Sequence, residues 1–347
     1  MTATTIAGKE ETIHLAEPTT PTFSLYSRMR EHGTLAETPQ DVPDARFALP
    51  STINWMCAQA ILVRQAGLDF AAAHRAYASV QGRRLSEREL NSVCEQLLFA
   101  LHQLASLRAI ATVGNKADVA RIGIIAWYYG VYGAASAMIA AGDGSFPDTH
   151  TATAQQWDRQ FAANDLALTP FGDRLSTLRS DVVERELTPI RGRGKHSLTS
   201  TPKDVEQAWG CHAEYLAGTV KWEQWNIQER VRETKEFKAL GVDSFRTSAA
   251  RELRDAAFAR RGIAFLHEAS RYRGKANYRD AIYLAYGRSV PRLLVGFIDD
   301  LAVVLAGFSA MAAGYVSRRI GNDVWNSFLE DLEQKRSISL SPKAEWS

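Results

Sequence analysis

The stretch 122–142 contains no charged residue, and this feature constrains the fold of the chain more than any other. A helix of these 21 residues would be long enough to cross a lipid bilayer. However, Trp127, Tyr128, Tyr129 and Tyr132 lie towards its middle, whereas the aromatic residues of membrane helices concentrate at the two interfaces. We therefore predict a helix that is buried in the core of a water-soluble helical protein.

A second apolar stretch, 293–316, leads to the same prediction. It contains Asp299 and Asp300, which would be costly to place in lipid. The first residues of the chain include acids and no apolar run, so we predict no signal peptide. The three cysteines have neither disulfide nor zinc spacing and fit a reducing compartment. We predict a cytoplasmic protein with no membrane contact.

Helical patterns follow one another through most of the chain. Ser86 and Glu89 have the spacing of a capping box, in which each side chain binds the backbone N–H of the other residue. Apolar residues then recur with the period of a helix over 90–111. A short turn at Gly114 follows, so this helix and the helix at 122–142 are expected to be antiparallel neighbours. No convincing period-two segment occurs, and we predict an all-α, multi-helix bundle without significant sheet.

Changes in composition along the chain predict two packed helical subdomains. Residues 1–50 have little periodicity and are expected to be mostly irregular. A loop at 188–202 contains several positive charges and no aromatic residue. We predict that this basic loop links an N-terminal helical bundle at 51–187 to a C-terminal helical bundle at 203–347.

The charge balance argues against several classes of function. Lys and Arg total 41 against 39 Asp and Glu, and a net charge of +2 disfavours a nucleic-acid coat protein or a polybasic membrane binder. Arginine outnumbers lysine by 31 to 10, which is compatible with phosphate contact and equally with a GC-rich genome. The sequence contains no glycine-rich phosphate loop, zinc pattern or nucleophile elbow. We therefore predict neither a metal nor a cofactor.

An arginine, an aromatic- and alanine-rich helix and a histidine follow one another over residues 121–161. Arg121 precedes the cluster from Trp127 to Tyr132, and His150 follows a glycine-containing turn. In this order the segment resembles the core helix pair of HEPN-like proteins, which are small helical-bundle modules common in bacterial toxin and defence systems. The resemblance implies binding or metal-independent cleavage of RNA. It also implies a homodimer or a protein partner encoded by a neighbouring gene.

In active members of that family, an Arg and a His lie four to six residues apart on one helix and meet their symmetry mates in a dimer. The resemblance implies that the His handles the proton of the 2′-hydroxyl or of the leaving 5′-oxygen, while the Arg stabilises charge on the phosphate. Arg261 and His267 match this spacing and are the candidate catalytic pair. Secondary candidates are Arg260, Arg121 and His150.

A later segment, 271–283, interleaves positive charges with tyrosines. This mixture is typical of surfaces that hold phosphates and stack bases, although a buried polar network would use the same residues. The candidate phosphate- or ligand-binding residues are Arg271, Arg273, Lys275, Asn277, Tyr278 and Arg279.

Two other classes of function are compatible with the same residues. The first is a non-catalytic helical subunit whose bundle faces dock another protein or a second copy. The second is a nucleotide- or small-molecule-binding protein that uses the tyrosine- and arginine-rich segment 271–283.

Overall fold

The computed structural model describes residues 48–278, 284–285 and 290–347, without the side chains of 48–49 and 275–278. The expected irregular segment 1–50 therefore lies almost wholly outside the described residues. The same is true of the candidate ligand contacts of Lys275, Asn277, Tyr278 and Arg279.

The first half of the described chain consists mainly of helices. They are α1 (Ala48–Ala66), α2 (Phe70–Ala76), α3 (Glu87–Ile110), α4 (Ala120–Asp143), α5 (His150–Gln160) and α6 (Ser180–Arg191), with short 3-10 turns at Lys116–Asp118 and Ala162–Asn164.

The second half is also helical. Its helices are α7 (Val205–Arg232), α8 (Lys235–Ala239), α9 (Ser248–Ala259), α10 (Phe265–Tyr278), α11 (Val290–Leu293), α12 (Phe297–Ile320), α13 (Asn322–Lys335) and α14 (Pro342–Trp346). One antiparallel pair of two-residue strands, β1 (Arg174–Leu175) and β2 (Ile263–Ala264), is the only sheet within the described residues. The prediction of an all-α bundle without significant sheet is confirmed.

Local signals in the sequence place several helix ends. The capping box at α3 forms as predicted: the backbone N–H of Glu89 donates to Ser86 Oγ, and the backbone N–H of Ser86 donates to Glu89 Oε2 at 2.7 Å. Thr201 followed by Pro202 is a sequence pattern typical of a helix start, but α7 begins later. Asp204 is the N-cap instead, because its carboxylate accepts the backbone N–H of Gln207 at 2.8 Å.

The end of α7 also differs from its sequence pattern, which predicts a helix that runs to Leu240. The helix stops at Arg232, and Thr234 caps the separate helix α8 by accepting the backbone N–H of Phe237. A threonine hydroxyl that satisfies a backbone donor in this way favours a new helix start over continuation of the old one.

Helices α3 and α4 pack closely side by side, and a glycine makes this approach possible. A Cβ atom on Gly133 of α4 would lie 2.9 Å from the Phe99 ring and 3.1 Å from the carbonyl oxygen of Gln96, both in α3. Most of α4 is buried, including the Trp127 and Tyr128 rings. The helix at 122–142 is thus buried inside the protein, as predicted.

Helix α12 forms the centre of the fold. It packs against α1, α2, α3 and α4 from the first half of the chain and against α13 and α14 from the second. All the described residues belong to one compact unit, and the loop between α6 and α7 lies within that unit. The main apolar cluster draws on helices from both sides of this loop.

Two segments of the described chain are long and apolar enough to cross a membrane by length and composition. They are Ala120–Asp143 and Val290–Ile320, and 72% and 56% of their most apolar windows are buried inside the protein. Burial of this extent is typical of core helices, which pass the same test as membrane spans. The expected absence of membrane contact stays a prediction.

Candidate ligand-binding site

Three tyrosines of α4 meet the first residue of α5. Tyr128 and Tyr132 are one helical turn apart, and Tyr129 lies beside them, so their rings reach the same side of the helix. Thr149 caps α5 by accepting the backbone N–H of Ala152, which places His150 at the first helical position. The His150 ring lies 4.5 to 5.7 Å from the three tyrosine rings.

Arg273 of α10 completes this group from a distant part of the chain. Its guanidinium lies over the Tyr128 ring, 4.8 Å from the ring centroid, a geometry in which the cation is attracted to the face of the ring. The hydroxyl of Thr153 in α5 donates to the Tyr132 hydroxyl at 3.1 Å and anchors that ring. We call Tyr128, Tyr129, Tyr132, His150 and Arg273 the tyrosine–histidine site.

The electrostatics of this site favour an uncharged histidine beside a cation. Burial and the nearby Arg273 both lower the pKa of His150 below its usual value. Burial raises the pKa of Tyr128, an effect that hydrogen bonds from Arg273 and Ser270 partly offset. Two buried nitrogens, His150 Nδ1 and Arg273 Nε, have no hydrogen-bond partner among the described residues.

Tyr129, Tyr132, His150 and Arg273 are each partly exposed. The site can therefore be reached from solvent, and it presents aromatic rings, one permanent cation and one neutral imidazole. These groups can stack a planar ring, hold an anion and exchange a proton.

The expected pair of Arg261 and His267 does not form a site of this kind. His267 is only 6% exposed, and its Nδ1 accepts the backbone N–H of Ala264 at 3.1 Å. Arg261 donates to the carboxylate of Glu223 at 3.1 Å. Burial, together with the charge of Arg261, lowers the pKa of His267 to about 3. A catalytic pair must be open to its substrate, and the candidate pair of Arg261 and His267 does not meet this requirement, because His267 is part of the core and its ring accepts a backbone N–H.

The other predicted residues lie in different places. Arg260 is exposed at the end of α9, and Arg121 is exposed in the first turn of α4, about two turns before Tyr128. Arg271 lies two residues before the arginine of the site, on nearly the opposite side of α10, and turns towards α7. Of the predicted residues with described side chains, His150 and Arg273 come together at the tyrosines of α4.

A second polar group, which the sequence does not indicate, lies inside the protein between α1, α7 and α10. His212 bonds Gln59 through Nδ1 at 2.8 Å and Asp173 through Nε2 at 3.0 Å. Arg193 makes two hydrogen bonds to the Asp173 carboxylate, at 2.7 and 2.8 Å. Although burial opposes its positive charge, Asp173 and Glu268 raise the pKa of His212. Glu268 is also buried in this group.

Local patterns in the sequence pointed to the tyrosines, to His150 and to Arg273 separately, but no local signal could show that they meet, and none pointed to the group around His212. The two ends of the tyrosine–histidine site are more than 120 residues apart in the chain, and the partners of His212 come from three separate segments. Within the described residues, no group of three or more His, Cys, Asp or Glu side chains could hold a metal ion.

Comparisons with protein-family models, with curated proteins and with solved structures found no match to this chain.

Proposed function

We propose that the protein is a HEPN-like RNA-binding protein and that single-stranded RNA binds at the tyrosine–histidine site. The observation that supports this proposal is the meeting of Arg273 with His150 over the tyrosine rings of α4. The same helix carries the resemblance to the HEPN-like family, and the arginine comes from the segment expected to hold phosphate.

Each group of the site has a role in this binding. A guanidinium holds a phosphate through two parallel hydrogen bonds, and Arg273 is partly exposed to solvent. The partly exposed rings of Tyr129 and Tyr132 offer faces on which unpaired bases stack. Single-stranded RNA is the matching ligand because its bases are available for stacking.

Cleavage is the stronger form of the same proposal. A neutral His150 accepts the proton of a 2′-hydroxyl, the 2′-oxygen attacks the adjacent phosphorus, and the bond to the 5′-oxygen breaks. The leaving oxygen takes a proton from water, the hydroxide that remains takes the proton from His150, and the products are a 2′,3′-cyclic phosphate and a 5′-hydroxyl. Arg273 stabilises the negative charge that develops on the phosphate.

Binding is tested with labelled oligouridylate and purified protein by fluorescence anisotropy. Replacement of Arg273 by Ala is expected to weaken binding by about tenfold or more, since hydrogen bonds to charged groups contribute about 1.5–3 kcal/mol. Tyr129→Ala is expected to weaken it as well. Arg260→Ala is the matched control because it removes an equally charged, exposed arginine outside the site. Equal losses in the Arg260 and Arg273 variants, or no binding by the wild type, would refute the proposal.

Cleavage is tested separately by incubating the same RNA with the protein in EDTA. Activity that yields cyclic-phosphate ends, is lost in His150→Ala and persists in His102→Ala supports a catalytic role for His150, since His102 is exposed on α3. Binding without any cleavage leaves an RNA-binding protein and rejects only the catalytic step.

A second candidate function is that of a non-catalytic helical subunit, and an exposed apolar surface favours it. Ile122, Leu293 and Val295 are 57%, 53% and 67% exposed, and α11 contacts the 3-10 turn just before α4. We propose that a second copy of the chain covers this surface. A dimer by light scattering that becomes monomeric in Val295→Asp would support this, and an unchanged mass would contradict it.

A further inference from the structure

Glu268 of α10 is a buried carboxylate that the proposed RNA site does not use. It is 1% exposed, and neither of its oxygens has a hydrogen-bond partner in the described part of the chain. Three ionisable groups face it: His212 from α7, Asp173 from the segment before β1, and Arg271 from its own helix. An ionised carboxylate without hydrogen bonds is costly in the protein interior, and protonation removes most of that cost.

Arg271 lies three residues further along α10, and in the structure it binds residues of α7. Its guanidinium donates to the Thr219 hydroxyl of α7 at 2.9 Å and lies 5.1 Å from the centroid of the Tyr215 ring. Its Nε–H is buried and has no partner among the described residues. Side chains three residues apart on a helix are neighbours. Arg271 therefore has two alternative partners within reach, α7 and Glu268.

The choice between these partners depends on a proton. Burial raises the pKa of Glu268 to about 7, with His212 and Arg271 acting to lower it and Asp173 acting to raise it. The carboxyl group accordingly changes charge within the neutral range. Neutral Glu268 offers little attraction to a guanidinium, whereas the ionised form needs a charged donor.

We propose that Glu268 and Arg271 form a proton-controlled latch between α10 and α7. Arg271 contacts Thr219 and Tyr215 in the structure, and in this latch that arrangement belongs to the protonated state of Glu268. In the ionised state Arg271 turns to Glu268 and its contact with α7 is lost. The latch controls how firmly α10 is held against α7. Arg273 is on the same helix, so the latch also affects RNA binding, and this effect rests on the proposed function.

The direction of the effect follows from these two states. As pH rises through 7, the contact between Arg271 and Thr219 breaks and α10 is held less firmly against α7. Arg273 is then less well positioned over Tyr128, so RNA affinity is expected to fall from pH 6 to pH 8. In Glu268→Gln the side chain cannot ionise, and this fall in affinity is expected to disappear.

The latch is tested without RNA by a double-mutant cycle in urea unfolding, with Arg271→Met, Thr219→Val and the double variant at pH 6 and pH 8. A coupling energy that is present at pH 6 and lost at pH 8, and that persists at both pH values in the Glu268→Gln background, supports the proposal. Equal coupling at both pH values in the wild-type background would overturn it.

A second measurement covers the case in which a variant fails to fold. The 15Nε resonance of Arg271 in the wild type is expected to shift between pH 6 and pH 8, and not to shift in Glu268→Gln. An unmoved wild-type resonance would also overturn the latch. Because neither measurement uses RNA, failure of RNA binding refutes the proposed function alone.

Discussion

His267 and Glu268 are neighbours in the sequence, and burial favours the neutral form of both side chains. It lowers the pKa of His267 to about 3 and raises that of Glu268 to about 7. The histidine therefore lowers the free energy of unfolding as pH falls from 6.5 towards 3, because only the unfolded chain is protonated in this range. The glutamate lowers the free energy of unfolding as pH rises from about 4.5 towards 7, because only the unfolded chain loses its proton in this range. Between about pH 4.5 and 6.5 the two effects have opposite slopes and partly cancel.

Replacement of His267 by Gln is expected to remove the contribution of the histidine and leave that of Glu268. The variant has no imidazole to protonate, so its free energy of unfolding relative to wild type should rise as pH falls from 6.5 to 4. The slope should be up to about 1.4 kcal/mol per pH unit. Urea unfolding measured across that range tests this, with His102→Gln on the exposed face of α3 as the control. Parallel wild-type and His267→Gln curves would contradict the burial of the imidazole.

At the scale of the secondary-structure element, α7 shows that the same residue type has opposite roles in one helix. A Cβ atom on Gly210 would lie 2.1 Å from the backbone nitrogen of His196, whereas one on Gly218 would lie 3.6 Å or more from its nearest neighbour, Arg271. The first glycine allows the loop before α7 to lie against the helix. The second has room for a side chain.

Alanine substitutions at these two positions are expected to change stability in opposite directions. Gly218→Ala should raise the free energy of unfolding by about 0.5–1 kcal/mol, because Gly is a poor helix former. Gly210→Ala should lower it, because the backbone of the loop must move away. Thermal unfolding followed by circular dichroism compares the two variants in the same helix. Higher stability in both the Gly210→Ala and the Gly218→Ala variant would show that the loop does not contact α7 as described.

At the scale of the whole molecule, α12 ties the two halves of the chain together. The Phe308 ring of this helix contacts the rings of Trp157, Phe171 and Phe265, with centroid distances of 5.0 to 5.9 Å. These partners precede and follow the loop between α6 and α7. The helices on either side of that loop therefore share buried surface.

Removal of the Phe308 ring is expected to lower the stability of both halves of the chain together, because they unfold as one cooperative unit. Phe308→Ala should lower the free energy of unfolding by about 3–5 kcal/mol through lost contacts and a residual cavity. Tryptophan fluorescence and far-ultraviolet circular dichroism should show coincident urea transitions. Val324→Ala, at a 39% exposed position of α13, should change stability by less than about 0.5 kcal/mol. Two separated transitions would favour independent bundles on either side of residues 188–202.

Local patterns in the sequence were sufficient for the all-α class, the capping box of Ser86 and Glu89, and the burial of the uncharged helix 122–142. Each of these depends on residues within a few helical turns of one another, so the information is contained in the local spacing. The same reasoning failed for Arg261 and His267. Their spacing along the chain matched the expectation, but the spacing could not show that His267 enters the core.

Only the tertiary structure decided which side chains meet. It brought Arg273 onto Tyr128 beside His150, and it buried Glu268 close to His212. The contacts of Arg273 and of Glu268 join residues that are more than 50 positions apart, and they arise when apolar helix faces pack, without any pattern in the neighbouring sequence. Helix formation is governed by nearby residues, whereas the pKa and the contacts of a side chain depend on the helices that pack against it, which come from distant parts of the sequence.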